Sequence, residues 1–409
     1  MLIFKILYDI KKRRQKMKKP KEELSVVTGA RGYVGYALVK ELSARPGKIR
    51  VLLRHDSKAL DEFNVEKAMG DICDYDSLEK AFKGATTVYH VAGLVDIEGN
   101  RDRLVWEVNY NGTKNVVATC KKCGVKNLVY VSSVDCIPAS KGTAKIKEYS
   151  NLDPNLLHDA YGKSKAAATQ YCIEQSDDKL KICIVQPSCC IGPDDYQGTN
   201  SVCTMIQLYL SGLFPCTLNF GGYNFVDVRD VAKGMISAAE KGRGGECYFL
   251  CGDRISVTEF IEALAKIEGK APPKITLTKS FLLKMCPVIE VLFKAAKLPP
   301  VLTPFSIHKL CENCNFSYEK AVKELDYSPM SAEESLRDTI KWMKENRGNQ
   351  DTVGEITKNI EDSIEEAISR DLKRVETTFR QAAEDGFEKN YEKTRKSLKK
   401  YIESRKWNY

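Results

Sequence analysis

Tyr161 and Lys165 stand four residues apart in DAYGKSKAAA, and Ser132-Ser133 closes the run NLVYVSS. The stretch around the first pair has a helical pattern, so the spacing puts phenol and ammonium on one face. A free phenol titrates near about 10 and is a poor proton carrier at neutral pH. A neighbouring ammonium favours the phenolate and lowers that value, and a serine hydroxyl can bind the same substrate oxygen. The three groups together suit reversible proton transfer to and from an alkoxide. A Tyr-x-x-x-Lys pair alone is often only a helix surface; the strand-end serine gives it weight. Counting to the strand end favours Ser133, with Ser132 the alternative.

A second group of residues suits a dinucleotide. TGARGYVG follows the first strand-like run and opens a helical one, with Gly29, Gly32 and Gly35 around Arg31, Tyr33 and Val34. A tight turn of this kind needs residues without Cβ, and a diphosphate reaches backbone N–H groups at a helix start only where side chains are absent. Gly-rich turns also occur for packing alone; the position after a first strand argues for the ligand. NAD enzymes of this topology place an acid at the end of the second strand to bind the ribose hydroxyls. Here VLLRH puts Leu53 and Arg54 at that end. A guanidinium can pair with a 2′-phosphate that a carboxylate would repel, so NADP(H) is favoured over NAD(H), with Arg31 a second candidate partner. The plainer reading is a pair of solvated arginines.

These groups need a scaffold, and the apolar pattern supplies one. LSVVTG (24–29) reads as a strand, YVGYALVKELSAR as an amphipathic helix and IRVLLR (49–54) as a second strand. VEKAMGD, a helix over YDSLEKAFKG, the strand TTVYHVAG, a long helix from Asn109 to Lys122 and the strand NLVYVSS follow. Such alternation predicts an α/β fold, a doubly wound parallel sheet (Rossmann) with helices on both faces. The expected division is a basic arm over 1–23, a dinucleotide-binding domain over 24–190, and a smaller substrate lobe over 191–349 that partly returns to the sheet. The apolar 280–303 stretch, broken by Pro287 and Glu290, is read as helices beneath a substrate pocket. Beyond it, Val353, Ile356, Ile360, Ile364, Ile368 and Leu372 recur at helical spacing in a charged tail over 350–409. That tail is expected to be a long amphipathic helix, packing on its own domain or pairing two subunits as a homodimer.

Composition bounds the rest. With 43% hydrophobic and 29% charged residues the chain is an ordinary globular protein able to bury a large core. Residues 1–21 hold nine Lys/Arg and one acid, nearly all of the net +9. Charge confined to one arm argues against nucleic acid as a partner of the folded body. MLIFKILYDI precedes the basic cluster, the reverse of a signal peptide, and is too short to span a bilayer. The arm is therefore either a disordered basic tail or an interfacial helix making peripheral contact with anionic lipid. The fifteen cysteines are scattered, several in apolar runs, which fits a reducing cytoplasmic compartment better than a disulfide framework. Cys120/Cys123 and Cys311/Cys314 are too far apart in sequence to suggest zinc, so no metal is expected.

From about residue 24 to 345 the chain resembles the extended short-chain dehydrogenase/reductases, the NAD(P)-dependent epimerase/dehydratase family, on the glycine turn, strand-end serine and YGKSK already quoted. The resemblance implies that Asp71, with Ile72, in GDICD binds the adenine side, and that Ala92 and Gly93 in HVAG lie beside the cofactor. It implies that Asn109 in VNYNGT supports the catalytic site and that QPSCCIGP, with Pro187, passes the nicotinamide. NFVDVRDVA is similar to a stretch of the family's second lobe. Likeness is greatest to the 3β-hydroxysteroid dehydrogenase/isomerase and dihydroflavonol-reductase branch, whose catalytic domain ends in a segment resembling FSYEKAVKELDYSPMSAEESLRDTIKWMKE. Two positions depart from the pattern: Leu53 stands where NAD-using steroid enzymes carry Asp, and Gln186 precedes Pro187 where Arg is common. The implied chemistry is alcohol–ketone interconversion on an apolar, ring-containing molecule, hydroxysteroid-like or dihydroflavonol-like. Tyr161 would exchange the proton, Ser133 position the oxygen, and Lys165 hold the cofactor ribose and tune Tyr161. A nucleotide-sugar epimerase or dehydratase with a tightly held cofactor is the first alternative; a non-catalytic NADP-binding scaffold is the second.

Overall fold

Short β-branched runs alternating with helical periods build successive βαβ units. The structure, a computed structural model, describes residues 23–96, 101–295 and 303–346, apart from 139, 141, 150, 199, 213 and 215. The basic arm and the charged tail lie outside the described residues. The first half runs β1 (Leu24–Thr28), α1 (Tyr33–Ser43), β2 (Lys48–Leu53), β3 (Val65–Met69), α2 (Tyr75–Phe82), β4 (Thr87–His90), α3 (Asp102–Trp106), α4 (Gly112–Cys123), β5 (Asn127–Val131), α5 (Ala160–Gln175) and β6 (Lys181–Pro187). The second runs β7 (Cys189–Ile191), α6 (Ser201–Leu210), β8 (Cys216–Leu218), β9 (Gly222–Asp227), α7 (Val228–Lys241), β10 (Cys247–Leu250), β11 (Asp253–Ser256), α8 (Val257–Ile267), β12 (Ile275–Leu277), α9 (Lys279–Ala295), α10 (Pro304–Leu310), α11 (Glu319–Leu325) and α12 (Ala332–Asn346).

Seven strands form one sheet in the order β10-β6-β5-β4-β1-β2-β3, with every neighbouring pair parallel. Strand order reverses between β1 and β4, where a crevice opens at the carboxyl ends of the strands. The strands bury both faces by the two-residue period of the pleat. Val27, Val51, Tyr89, Val129 and Val185 pack with Leu38 of α1 and Met235 of α7 on one side. Val26, Leu52, Val88, Leu128, Tyr130 and Ile184 pack with Phe82 of α2, Val117 of α4 and Cys172 of α5 on the other. Each fully buried aliphatic side chain here contributes about 1.5–3 kcal/mol, most of it offset by chain entropy. The Rossmann-like fold expected from the sequence is the one observed.

After β6 the chain builds a three-stranded sheet β11-β9-β7 and a parallel pair β12-β8. It also returns to the main sheet: β10 pairs with β6, Cys247 opposite Ile184, and α7 covers the face that α1 shares. The long helix expected from Asn109 to Lys122 is interrupted. Glu107–Asn111 form one π-helical turn between α3 and α4, which moves Asn109 out of an even α-helical register. The chain divides into two compact units, Met1–Pro287 with Pro299–Gln350, and Val288–Leu298 with Asp351–Tyr409. All three sheets and every residue of the site below belong to the first. Pro287 falls inside α9, whose Leu282 and Cys286 are buried while Phe281 is half exposed. No described helix is long and apolar enough to cross a membrane.

Candidate active site

The glycine turn joins β1 to α1 at the crevice. Gly29 has a φ of +73°, and a Cβ there would lie 2.6 Å from the Ala92 nitrogen. A Cβ on Gly35 would fall on the Gly29 carbonyl oxygen. Larger residues at either position would force β4 or α1 away from the turn. Gly32 caps α1 without a side chain, and no acid stands in the first turn, so the helix start presents bare N–H groups and positive dipole. Tyr33 donates its hydroxyl to the Gly192 carbonyl at 2.7 Å, and Val34 packs against the core. Arg31 is exposed, its carbonyl taking a 2.6 Å hydrogen bond from Gln197. Leu53 is buried at the end of β2 and Arg54 is exposed beyond it. Asp71 follows β3, its carboxylate accepting from the Cys73 amide at 2.9 Å, while Ile72 is buried against Gly112. These features fit a dinucleotide: a cradle that a Cβ would fill, an uncapped helix start and no carboxylate at the ribose end of β2.

The catalytic candidates gather at the carboxyl ends of β4 and β5. Asp159 caps α5 by accepting the Gly162 amide at 2.6 Å, which fixes the helical turn that carries Tyr161. One turn on, Lys165 is buried, with its Nζ donating to the Val131 carbonyl at 2.8 Å and lying 5.1 Å from the Tyr130 ring centre. Burial pulls this ammonium down to about 8, so it stays largely charged at neutral pH. Ser132 and Ser133 separate cleanly. Ser132 bonds Thr169 at 2.6 Å and ties β5 to α5, whereas Ser133 caps the following 3-10 turn and lies beside the Tyr161 phenol. The expectation that Lys165 lowers the Tyr161 pKa is corrected by this geometry. Burial first, and then the Asp135 carboxylate, hold the phenol above its ordinary value, with the Ser133 hydroxyl opposing them. The ammonium is turned toward the strand carbonyl instead.

Asn109 lies buried in the π turn. Its Oδ1 accepts from the Leu94 amide at 2.8 Å, and its Nδ2 donates to the Leu94 carbonyl at 2.9 Å and to Ser164 at 3.1 Å. Gly93 sits between: a Cβ there would be 3.1 Å from Lys165 Nζ and 3.3 Å from Asn109 Oδ1. Ala92 donates its amide to Thr28 at 3.2 Å, and Pro187 is buried at the end of β6. Gln186, in place of the family's Arg, is fully buried with its Nε2 3.0 Å from the Cys136 sulfur.

The sequence reading overlooked His90, the residue before Val91-Ala92-Gly93. It is fully buried between Thr28 (2.8 Å to Nδ1) and Thr113 (3.0 Å to Nε2). Thr113 donates its hydroxyl to the Asn109 carbonyl at 2.6 Å, so its oxygen accepts from His90 Nε2–H. Nδ1 then accepts from Thr28, which in turn accepts from Ala92. A one-way chain of hydrogen bonds thus links the loop after β4 to the π turn, and it requires the neutral imidazole. Burial first, then the Lys165 charge, pull His90 down to about 3. Because the folded value lies below the unfolded one, the unfolded chain binds the extra proton across that window, and stability falls as pH falls from about 6.5. Between about pH 6.5 and pH 5 this group is expected to remove roughly 2 kcal/mol. Melting curves across that range should show the loss, and His90→Gln should abolish its share of the slope. Equal slopes in both proteins would contradict the assignment.

Asp135, Tyr223 and Lys309 were also missed. The only local signal was an acid two residues after Ser133; the other two come from β9 and α10. Among the described residues no cluster of His, Cys, Asp and Glu could hold a metal ion, and no two cysteines are joined by a disulfide.

A parallel sheet with its reversal beside β1, a glycine turn at that reversal, and serine, tyrosine and lysine around one point define the chain's class. It is an NAD(P)-dependent oxidoreductase of the extended short-chain dehydrogenase/reductase type, acting on CH–OH groups. The 3-beta hydroxysteroid dehydrogenase/isomerase family model matches residues 26–252, and the chain belongs to that family. It is 27% identical to the sterol demethylase protein B of Methylococcus capsulatus (strain ATCC 33009 / NCIMB 11132 / Bath) over 78% of this chain and 98% of that protein. It is 30% identical to a putative dihydroflavonol 4-reductase of Synechocystis sp. (strain ATCC 27184 / PCC 6803 / Kazusa) over 78% of this chain and 94% of that protein. Among solved structures, gox2253 superposes with a TM-score of 0.68 at 31% identity, covering 79% of this chain and 98% of that one.

Proposed function

We propose that the chain interconverts a secondary alcohol and a ketone on an apolar, ring-containing small molecule, hydroxysteroid-like or dihydroflavonol-like, using NADP(H) in preference to NAD(H). The observation that carries this reading is the convergence of Ser133, Tyr161, Lys165 and Asn109 at the mouth of the dinucleotide crevice. Likeness to a sterol-processing relative supports an apolar substrate. The nicotinamide supplies or accepts the hydride. Tyr161 gives its hydroxyl proton to the nascent alkoxide in reduction and takes it back in oxidation. Ser133 orients the same oxygen. Lys165, one helical turn from Tyr161, faces the open backbone of Gly93, where the cofactor ribose would lie. Asn109 holds the Leu94 segment against α5.

The NADP(H) preference rests on Leu53 and Arg54. NADPH is expected to bind at least about tenfold more tightly than NADH, about 1.4 kcal/mol. Arg54→Asp should narrow or reverse the gap in fluorescence titrations, because a carboxylate there repels the 2′-phosphate. Equal affinities in the intact protein would remove the phosphate-pairing argument. A panel of hydroxysteroids, dihydroflavonols and their ketones, followed by nicotinamide absorbance, tests the substrate class. Turnover of a nucleotide sugar without added cofactor would favour the epimerase alternative.

A further inference from the structure

We propose that Asp135 is a positioning residue for proton transfer at this site, and that Lys309, reaching in from α10, sets how much of its negative charge Tyr161 meets. The proposal rests on the reading of Tyr161 as the proton-exchanging group. Asp135 lies in the 3-10 turn that Ser133 caps: its amide donates to Ser133 Oγ at 3.1 Å, and Ser133 Oγ lies 3.3 Å from Asp135 Oδ2. Its carbonyl oxygen is 2.8 Å from where a Cβ on Gly162 would be, so the turn packs on the first turn of α5 beside Tyr161. The other carboxylate oxygen, Oδ1, accepts from the Tyr223 hydroxyl at 2.9 Å and pairs with Lys309 Nζ at 3.1 Å. Lys309 is shared, lying 3.0 Å from Glu312 as well. The Asp135 side chain keeps 26% of its surface exposed, so part of its hydration is given up and these partners replace it.

The carboxylate touches the serine that lies beside Tyr161, and its charge acts in one direction. Asp135 raises Tyr161, Tyr223 and Cys189 alike. Buried Cys136 and half-buried Cys190 also lie near the phenol, both as thiols held above their ordinary values, so neither adds a charge near neutral pH. Lys165, on the next turn of α5, is directed at the Val131 carbonyl. Two acids, Asp135 and Glu312, therefore share one ammonium, Lys309. Removing one member of this group changes the charge that the phenolate must tolerate without removing any group assigned to the reaction itself.

Site-specific incorporation of 3,5-difluorotyrosine at position 161 in the full chain brings the phenol into an accessible pH range, and 19F NMR follows its ionisation without any turnover. Asp135→Asn keeps the size and hydrogen-bonding shape of the side chain and is expected to lower the titration midpoint by about one pH unit. Lys309→Met is expected to raise it by a similar amount. With Asp135→Asn already present, Lys309→Met should move the midpoint by less than half as much, because the charge it balanced is gone. Melting curves and NADPH binding establish that each variant is folded. Should Asp135→Asn not fold, the upward shift in Lys309→Met carries the proposal, and its absence overturns it. Midpoints of folded variants within about 0.3 of the parent would assign Asp135 and Lys309 to structure alone. A negative substrate panel leaves this measurement intact, so the two readings fail separately.

Discussion

Replacing Tyr161 with phenylalanine is expected to lower turnover by about 10²–10⁴-fold while NADPH binding and melting temperature stay nearly unchanged. The substitution removes one hydroxyl and keeps the ring. Ser133 retains its bonds to Asp135, so loss of the hydroxyl should cost about 1 kcal/mol at most. The buried phenol stays protonated through neutral pH, held there by desolvation and Asp135, so no stabilising ionisation is lost with it. That state is the one a proton donor needs, and reduction of a ketone should vary little with pH near neutrality. Oxidation needs the deprotonated form, so its kcat/KM is expected to rise as pH rises. Near-full activity of Tyr161→Phe on a true substrate would remove this residue from the mechanism.

Lys165→Met should lower kcat by at least about 100-fold and also raise the Kd for NADPH about tenfold, which separates it from the tyrosine variant. Its ammonium is the one positive charge assigned to both jobs: it lies one helical turn from Tyr161 and 3.1 Å from the position a Gly93 Cβ would take. Stability should move the other way. A buried ammonium is already pulled down to about 8 by desolvation, and methionine fills similar volume without that penalty. The variant is therefore expected to melt no lower than the parent at pH 7, even though the Val131 carbonyl loses its donor. Unchanged NADPH affinity with lost turnover would restrict Lys165 to tuning the proton transfer.

The dinucleotide fold and the core of the site were legible because their information is local. Gly29 and Gly35 report backbone approaches that no other residue tolerates, and they sit within one turn of each other. Tyr161 and Lys165 share a face because of helical periodicity alone, and the alternating strands announce which residues enter each side of the sheet. Two local inferences still required correction. The π turn at Asn109 has no period of its own in so short a segment, and the direction of the Lys165 ammonium depends on a carbonyl from β5.

By itself the sequence determined the parallel sheet, the phosphate-facing turn, the absence of a carboxylate at the end of β2 and the tyrosine–lysine pair. Each follows from spacing within a strand, a turn or a helix. Only the tertiary structure decided that Ser133 rather than Ser132 faces Tyr161, because both hydroxyls occupy one strand end and packing against Thr169 consumes the first. It also decided the neutral His90 relay and the Asp135–Tyr223–Lys309 group, whose members come from separate elements. Their partners are fixed by burial and hydrogen-bond direction across closed loops, and no periodicity along the chain encodes either.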